Sequence, residues 1–444
     1  MTIGVGPKSM RLHLTKILML SLGPLLFTPL FDADAETLRE AVERALTGSP
    51  EIIAGELSLL EADEGLSRAK SSWKPDVSLK IKGGRKRATT DTTTSTADTE
   101  YFNPISTTLS VSQHLVDFGE TRAGIEKSKV LRNISKEQIR QTRQEIIFEA
   151  ITAYIAVWRD LKLLKVATSN ATILGEQFRA TEKRFSMREV TRTDVSQAQA
   201  RLQGAISNRI AADLTLQDSL ASYEEVIGPL ADLEGISWSV QNLENYQLPS
   251  SIEAARDAAY AKNSGMKQLR LQHQVAKYGV LERRSSLLPT ISIEASMSDA
   301  RHSSATTERS KDLVLEGVVT VPLYDSGKSW SNLKSAEIET RILLQNEKSK
   351  KLTLDRKILS LWNTLQRTDG QISSIEASVE ANKTALQGVR REVEVGTRTT
   401  LHLLDAENEY VQAEASLVSA THDKTQSHFS LMFECGLLDE VFTR

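Results

Sequence analysis

The stretch LVDFGETRAGIEKS, residues 115–128, decides the fold because the chain contains two versions of it. The second version, LYDSGKSWSNLKSA, begins at Leu323 and pairs Asp117 with Asp325 at an offset of 208 residues. Much further along the chain, Gln197-Ala198 pairs with Asp405-Ala406 at the same offset. A correspondence this long predicts an internal duplication, in which both halves of the chain share one architecture.

The two halves differ in length at one place. SSWKP ends at Pro75 and SSLLP ends at Pro289, an offset of 214, so the first half holds six more residues between Pro75 and Leu115. A length change confined to one segment is typical of a surface loop. The sequence therefore predicts a first structural repeat over 36–250, a second over 251–438 and a tail over 439–444.

Each half is predicted to contain the same order of elements. A short helix and a medium helix come first, then two extended stretches joined by a polar loop, then a very long helix, a break and a return helix. The predicted bounds are short helices at about 37–48 and 251–262, medium helices at about 51–72 and 265–287, strands at about 76–84, 105–116, 290–298 and 312–324, long helices at about 120–187 and 328–395, and return helices at about 193–227 and 400–435.

The four extended stretches carry apolar residues on one face and polar residues on the other. This pattern is typical of strands in a transmembrane β-barrel, and a pair of soluble hairpins is the alternative. The segment GGRKRATTDTTTSTADTE, residues 83–100, is expected to be a polar loop. Four strands cannot close a barrel and lipid tolerates no open sheet edge, so several chains must share the barrel. The predicted membrane-facing residues are Val77, Leu79, Ile81, Leu109, Val111, Ile291, Ile293, Leu315, Val319 and Val321.

The two long helices set a length scale. A helix of about 68 residues spans about 100 Å and needs neighbours along its whole length. Ile147, Ile151, Tyr154 and Trp158 form one apolar stripe, and a second stripe lies beside it. Two adjacent stripes favour a helix with a partner on each side, as in the wall of a tube, and a two-stranded coiled coil is the alternative. The predicted fold class is mainly α with a small β part: long antiparallel helical hairpins forming an α-barrel, plus four strands contributed to a shared β-barrel.

The N-terminus is predicted to be a signal peptide over 1–35, because basic residues precede an apolar run at 17–31 that is followed by Ala-Asp-Ala at 33–35. Cys435 is the single cysteine of the chain, so no internal disulfide can form and no cysteine is available near the cleavage site for lipid attachment. The sequence thus predicts export of the mature chain.

Composition excludes several classes of function. The formal net charge of −3 argues against nucleic-acid binding, which needs a basic field. The seven histidines are scattered, and the chain lacks the spacings of metal, phosphate-loop and serine-hydrolase motifs. We therefore expect no enzymatic activity, no metal and no cofactor.

The segment EVGTRTTLHLLDAENEY, residues 394–410, together with the duplication and the paired strands, resembles the TolC family of outer-membrane channel proteins. The VGTRT…LDA wording is similar to the secretion-type members. The resemblance implies a homotrimer with one barrel in outer-membrane lipid and a helical tunnel through the periplasm. It also implies docking of a periplasmic adaptor (membrane fusion protein) and of an inner-membrane ABC transporter or RND-type pump.

The resemblance further implies a periplasmic gate at the two helix turns. Arg398 matches an arginine that bonds to a Thr-Asp pair on the neighbouring hairpin, here Thr193 and Asp194. Asp405 matches one of two carboxylates that line the entrance, whereas the second position is occupied by His402. Two further positions depart from the family: Val393 replaces a tyrosine of the latch, and the first turn lacks the expected glycine near Arg188. Adaptor docking is implied for Val395, Gly396, Thr397, Met187, Arg188 and Glu189.

The resulting expectation is a passive exit duct, most simply the outer-membrane component of a type I protein secretion system. Multidrug efflux is the close alternative, and a periplasmic adaptor or an envelope-bound enzyme is a weaker one. Rings of Asp405 would favour cations. Because histidine titrates near neutrality, rings of His402 are expected to reduce that cation preference below about pH 6.

Overall fold

A computed structural model describes residues 37–92, 95–230, 233, 236–304 and 307–442. The predicted signal peptide, and the last two residues of the predicted tail, lie outside the described residues. Within the described part of the chain, no helix combines the length and the apolar character needed to cross a membrane.

The long helices occur in pairs of matching length. The helices, in chain order, are α1 (Leu38–Gly48), α2 (Pro50–Ser71), α3 (Glu120–Ser186), α4 (Arg192–Val226), a 3-10 turn (Val240–Asn245), α5 (Ile252–Lys262), α6 (Ser264–Ser285), α7 (Lys328–Glu394), α8 (Thr400–Cys435) and α9 (Leu438–Phe442). Helices α3 and α7 both contain 67 residues, and α2 and α6 both contain 22. At 1.5 Å per residue, α3 and α7 are each about 100 Å long.

The strands form two separate sheets. The strands are β1 (Asp76–Gly83), β2 (Lys86–Thr92), β3 (Ser95–Phe102), β4 (Ile105–Val116), β5 (Thr290–Arg301) and β6 (Arg309–Thr320). An antiparallel four-stranded sheet has the order β1-β4-β5-β6, and β2 pairs with β3 alone. The outer strands β1 and β6 therefore form the two edges of the main sheet.

The expectation of a loop over residues 83–100 is wrong, because this segment forms most of the β2–β3 hairpin. Its apolar residues are too few to show an alternating pattern, but it is rich in threonine, whose branched Cβ favours extended backbone. Thr89 lies opposite Thr99, and their hydroxyl oxygens are 3.2 Å apart.

The last strand ends earlier than the sequence indicates. Pairing of β6 with β5 stops at Thr320 opposite Thr290, so the predicted membrane-facing residue Val321 lies one residue beyond the strand. Its side chain is 51% exposed. Pro322 follows, and its missing N–H cannot join a ladder.

The register of the main sheet places most apolar residues of its four strands on one face. Each row across the sheet is set by the pairings of neighbouring strands, and directly paired residues share a face. Successive rows are Val77–Val111–Ala295–Leu315 and Leu79–Leu109–Met297–Leu313, whereas the mainly polar opposite face carries Ser78–Ser110–Ser296–Val314 and Lys80–Thr108–Ser298–Asp312. Leu79 and Leu315 are 63% and 75% exposed, so the described part of the chain leaves the apolar face uncovered.

The helices form a layer that continues from the sheet. Helix α2 packs on α3, α3 on α6, and α6 on α7, while α4 and α8 pack back along α3 and α7. The main core lies where α1, α4, α8 and the segment near the 3-10 turn surround the middle of α3, with Tyr154, Tyr223 and Phe429 fully buried. Helices α2 and α7 stand at the two ends of the layer, and each exposes an apolar stripe: Ile53, Leu57 and Leu60 on α2, and Ile338, Ile342 and Leu352 on α7.

The Asp-x-Gly junctions explain how strand leads into helix in both halves. The Asp117 carboxylate accepts hydrogen bonds from the backbone N–H groups of Gly119 and Thr121, at 3.0 and 2.8 Å. In the second half Asp325 accepts from the Ser329 N–H at 2.8 Å. These bonds satisfy N–H groups that the first helical turn leaves without partners.

Candidate functional site at the helix turns

The first candidate turn joins α3 to α4. The Met187 N–H donates to the Lys183 carbonyl at 3.3 Å, and the Glu189 N–H donates to the Arg184 carbonyl at 3.0 Å. Arg188 reverses the chain with a φ of +64°, in the left-handed region that side chains with a Cβ rarely adopt. The Met187 side chain is 54% exposed, and Arg188 and Glu189 are exposed beside it.

The second turn, between α7 and α8, closes in the same way. The Thr397 N–H and hydroxyl both donate to the Glu392 carbonyl, at 2.9 and 2.8 Å. Gly396 has a φ of +80° and lies 208 residues after Arg188, so the two residues occupy equivalent positions. The expected glycine is thus absent from the first turn, but its backbone conformation is retained by an arginine.

The two return helices begin with related caps. Thr191 and Asp194 form a capping box, in which the Asp194 carboxylate accepts from the Thr191 N–H and hydroxyl, both at 2.8 Å. These bonds hold the pKa of the Asp194 carboxyl below its usual value. In α8 the equivalent residues are Thr399 and His402, and the Thr399 Oγ1 lies 2.8 Å from the His402 Nδ1. His402 therefore occupies the position of the capping carboxylate, but the Thr399 side chain makes no capping hydrogen bond to the backbone of α8.

Two of the predicted latch residues, Arg398 and Asp194, have partners within their own turns. The Arg398 Nε lies 2.7 Å from Glu392 Oε2, and the Asp194 carboxylate is engaged by Thr191. Thr193 is exposed, and Val393 is half-buried with its carbonyl accepting the Gly396 N–H at 3.1 Å. A bond from Arg398 to the Thr193–Asp194 pair of a neighbouring hairpin stays a prediction, because it concerns contacts outside this chain.

Asp405 has a partner that the sequence does not reveal. The Arg201 Nη2 on α4 lies 3.0 Å from the Asp405 Oδ1 on α8, with both side chains about half exposed. Next to this ion pair, Leu174 of α3, Ala205 of α4 and Leu404 of α8 form a small buried cluster. Among the described residues, this ion pair and this apolar cluster join the two hairpins near their tips.

A buried carboxyl lies two residues beyond Asp405. Glu407 on α8 is 2% exposed, its Oε2 lies 3.7 Å from Arg390 Nη2 on α7, and that oxygen has no hydrogen-bond partner. Burial raises the pKa of the Glu407 carboxyl, and the charge of Arg390 offsets part of the increase. The tips therefore contain a carboxyl whose charge is poorly compensated.

The ends of both turns are exposed to solvent. Val395 is 74% exposed, and Gly396 and Thr397 are exposed next to it. A Cβ added to Gly396 would meet no atom within 4 Å. Among the described residues, no group of three or more His, Cys, Asp and Glu side chains is arranged to hold a metal ion.

Paired helices about 100 Å long, continued by a small sheet with an uncovered apolar face, define an outer-membrane channel subunit of the TolC type. The chain belongs to the Outer membrane efflux protein family, which matches it over residues 41–228 and 255–436. The two matches begin 214 residues apart and end 208 residues apart, the same two offsets that the sequence repeat shows. The resemblance to the TolC family is therefore confirmed, and this is a family of channels rather than enzymes.

Individual relatives carry names from both efflux and secretion. The outer membrane efflux protein BepC of Brucella suis biovar 1 (strain 1330) is 27% identical over 408 residues, which cover 90% of this chain and 86% of BepC. The alkaline protease secretion protein AprF of Pseudomonas aeruginosa is 26% identical over 351 residues, covering 78% of this chain and 72% of AprF. The crystal structure of the Campylobacter jejuni CmeC outer membrane channel has a TM-score of 0.79 at 17% identity, covering 90% of this chain and 85% of CmeC. That likeness confirms the fold class.

Proposed function

We propose that this protein is the outer-membrane exit duct of a tripartite export system, a passive homotrimeric channel gated at its helix turns. The observation that carries the proposal is the four-stranded sheet, whose apolar face is exposed and whose edges β1 and β6 are both unpaired within the described chain. An exposed apolar sheet with open edges is prone to aggregate in water, and the unpaired backbone groups of an open edge cost free energy in lipid. Both costs disappear if copies of the chain close a barrel in the outer membrane, with the helices in the periplasm.

The helix layer has the same open ends as the sheet. Helix α2 exposes Ile53 and Leu57 at one end, and α7 exposes Ile338 and Ile342 at the other. In the duplicated chain α3 corresponds to α7 and α6 to α2, so the contact between α3 and α6 has a counterpart between α7 of one copy and α2 of the next. This head-to-tail contact closes a ring rather than a two-fold dimer. With four strands from each copy, three copies supply twelve strands, within the range of natural outer-membrane barrels.

The repeat also predicts the register in which β6 of one copy pairs with β1 of the next. Val77 lies opposite Val111 in the first half and Ile291 lies opposite Val319 in the second, so the pairings superimpose at offsets of 214 and 208. The internal β4–β5 pairing of Val111 with Ala295 then predicts Val319 of one copy opposite Ile81 of the next. The same register carries residues 321–324 alongside the start of the neighbouring β1. This register would give strand partners to residues that have none within the single chain.

The helix turns are the proposed site of gating and docking. Val395, Met187 and their neighbours form exposed tips on which a periplasmic adaptor can sit, and an inner-membrane pump stands behind the adaptor. We favour type I protein secretion with an ABC transporter, supported by the VGTRT…LDA segment and by the AprF relative. Multidrug efflux with an RND-type pump is the second candidate, supported by the BepC relative.

Disulfide cross-linking in intact cells tests the assembly. The pair Val319→Cys with Ile81→Cys places the cysteines directly opposite across the proposed interface, within the reach of a disulfide. The matched control pairs Val319→Cys with Val77→Cys, which lies four residues and about 13 Å further along the strand. The native Cys435 is buried and serves both variants as background.

We expect the first pair to give a covalent trimer in the outer-membrane fraction on a non-reducing gel, and the control pair to give monomers. Equal cross-linking of both pairs would contradict the register. A soluble monomer in the periplasmic fraction would contradict the function as a whole.

A further inference from the structure

The apolar face of the sheet changes character at the end furthest from the helices. On this face the row Leu79–Leu109–Met297–Leu313 is followed by Ile81–Thr107–Asp299–Lys311 and then by Gly83–Ile105–Arg301–Arg309. The apolar band along β5, from Ile291 to Met297, is about 20 Å long. Three cations and one carboxylate therefore lie directly beyond the end of the band, on the same face.

The carboxylate is already engaged by one of the three cations. The Arg309 Nε lies 3.0 Å from Asp299 Oδ1, and the Arg309 Nη2 bonds the second oxygen, so this pair is bidentate. Arg301 and Lys311 are exposed, and in the described part of the chain neither has an ion-pair partner within 4 Å. They are diagonal neighbours across β5 and β6, with Cβ atoms within about 8 Å of each other, a gap that one phosphate group can bridge.

The adjoining hairpin adds cations and an aromatic ring at the same end. Arg85 and Arg87 both lie over the Tyr101 ring, with the guanidinium carbons 5.8 Å from its centroid, and Tyr101 is 60% exposed. Tyrosine and arginine side chains of this kind favour the boundary between hydrocarbon and water. Lys80 and Lys82 also lie at this end of the sheet, but on its opposite, polar face.

We propose that Arg301 and Lys311 form a binding site for phosphate-bearing lipid head groups in the membrane leaflet furthest from the helices. The inference rests on the proposed function, because it needs the apolar band to lie in a bilayer. A lipid whose chains cover Met297 and Leu313 brings its head group to the height of the Arg301 and Lys311 rows. A phosphate there accepts charge-assisted hydrogen bonds from both side chains without disturbing the Arg309–Asp299 pair.

Lipid binding to the purified full chain in neutral detergent tests this site. Native mass spectrometry measures the binding of dioleoyl phosphatidic acid, and dioleoylglycerol serves as the matched lipid with the same chains and no phosphate. The test variant is Arg301→Gln with Lys311→Gln, which leaves Arg309 and Asp299 in place. The control variant is Lys80→Gln with Lys82→Gln, which removes two cations from the opposite face at the same end.

We expect phosphatidic acid to bind the wild type and the control variant with similar affinity, and the test variant about tenfold more weakly. Equal loss in both variants, or no preference over dioleoylglycerol, would overturn the site. Complete displacement of the lipid by millimolar inorganic phosphate would overturn it as well, because the surface would then bind a free anion. In these outcomes the protein still assembles in detergent, whereas a monomer soluble without detergent would remove the proposed function itself.

Discussion

Arg201 on α4 and Asp405 on α8 form an ion pair, with Arg201 Nη2 3.0 Å from Asp405 Oδ1, that joins the two helical hairpins near their tips. Helices α4 and α8 belong to different halves of the duplicated chain. Under the proposed gating at the helix turns, separation of the two hairpins would break this contact and expose the Leu404 cluster beside it. The pair is solvent-exposed, so its contribution is expected to be about 0.2–1 kcal/mol.

Arg201→Ala is expected to raise the open probability of the channel by up to about fivefold, as a loss of that size allows. Single-channel recording in planar bilayers measures the change, and Asp405→Ala in the same background should add little because both substitutions remove one interaction. Arg209→Ala, an exposed arginine two turns along α4, is the control. Equal opening by Arg201→Ala and Arg209→Ala would show that the ion pair has no special role.

Arg188→Gly is expected to stabilise the first turn by about 1 kcal/mol, because glycine adopts the left-handed conformation without the steric strain of a Cβ. The greater conformational entropy of glycine in the unfolded chain offsets part of this gain. Hydrogen exchange of the amides around Glu189 measures the effect. The reciprocal change Gly396→Arg should destabilise the second turn through the backbone alone, since its Cβ meets no neighbour. Faster exchange in Arg188→Gly would contradict this account.

His402→Asp is expected to complete a capping box with Thr399 and to stabilise the start of α8 by about 0.5–2 kcal/mol. The physical reason is the equivalent Thr191–Asp194 box, where the carboxylate accepts two hydrogen bonds. Slower amide exchange in the first turn of α8 is the readout, and Asp194→His provides the reverse change in α4. If both substitutions leave exchange unchanged, capping does not decide the residue type at this position.

Glu407 is expected to make the contact between α7 and α8 more stable at low pH. Its carboxyl has a raised pKa in the folded protein, so folding favours the protonated form. Stability is greatest below the pKa of an unfolded carboxyl, near 4.3, and falls as pH rises towards the raised folded value. Protection factors from hydrogen exchange, measured at pH 7 and pH 4.5, should show this dependence of stability in wild type and in Glu409→Gln, an exposed neighbour. Glu407→Gln should not show it. Persistence of the dependence in Glu407→Gln would assign it to another group.

Leu315→Lys is expected to impair membrane insertion, at a cost of about 2–4 kcal/mol for a cation near the bilayer midplane. Val314→Lys is the matched control, because the adjacent residue points to the polar face of the same strand. The yield of trimer in the outer-membrane fraction distinguishes them. Similar yields from both variants would mean that the apolar face does not meet lipid.

The internal repeat, the period-two alternation of the strands and the apolar stripes of the helices predict much of the architecture from sequence. Period-two alternation of residues such as Ile291 and Ile293 marks strands with one apolar face, and the 208-residue offset relates Arg188 to Gly396. The β2–β3 hairpin leaves no such signal, because its threonine-rich sequence contains too few apolar residues for an alternating pattern. The Arg201–Asp405 pair has no counterpart in the other half, where Glu409 and Gln197 occupy the equivalent positions, so no pattern in the sequence connects them.

The duplication means that one seam between helices is built twice, in two physically different settings. The seam between α3 and α6 is tethered within one polypeptide, so it closes at an effective concentration that does not depend on expression. In the proposed ring, its counterpart between α7 of one copy and α2 of the next has to be found by diffusion of separate chains, and dilution weakens it. In the proposed assembly, the step most sensitive to protein abundance is therefore closure of the ring, because each subunit completes its own α3–α6 seam as soon as it is folded.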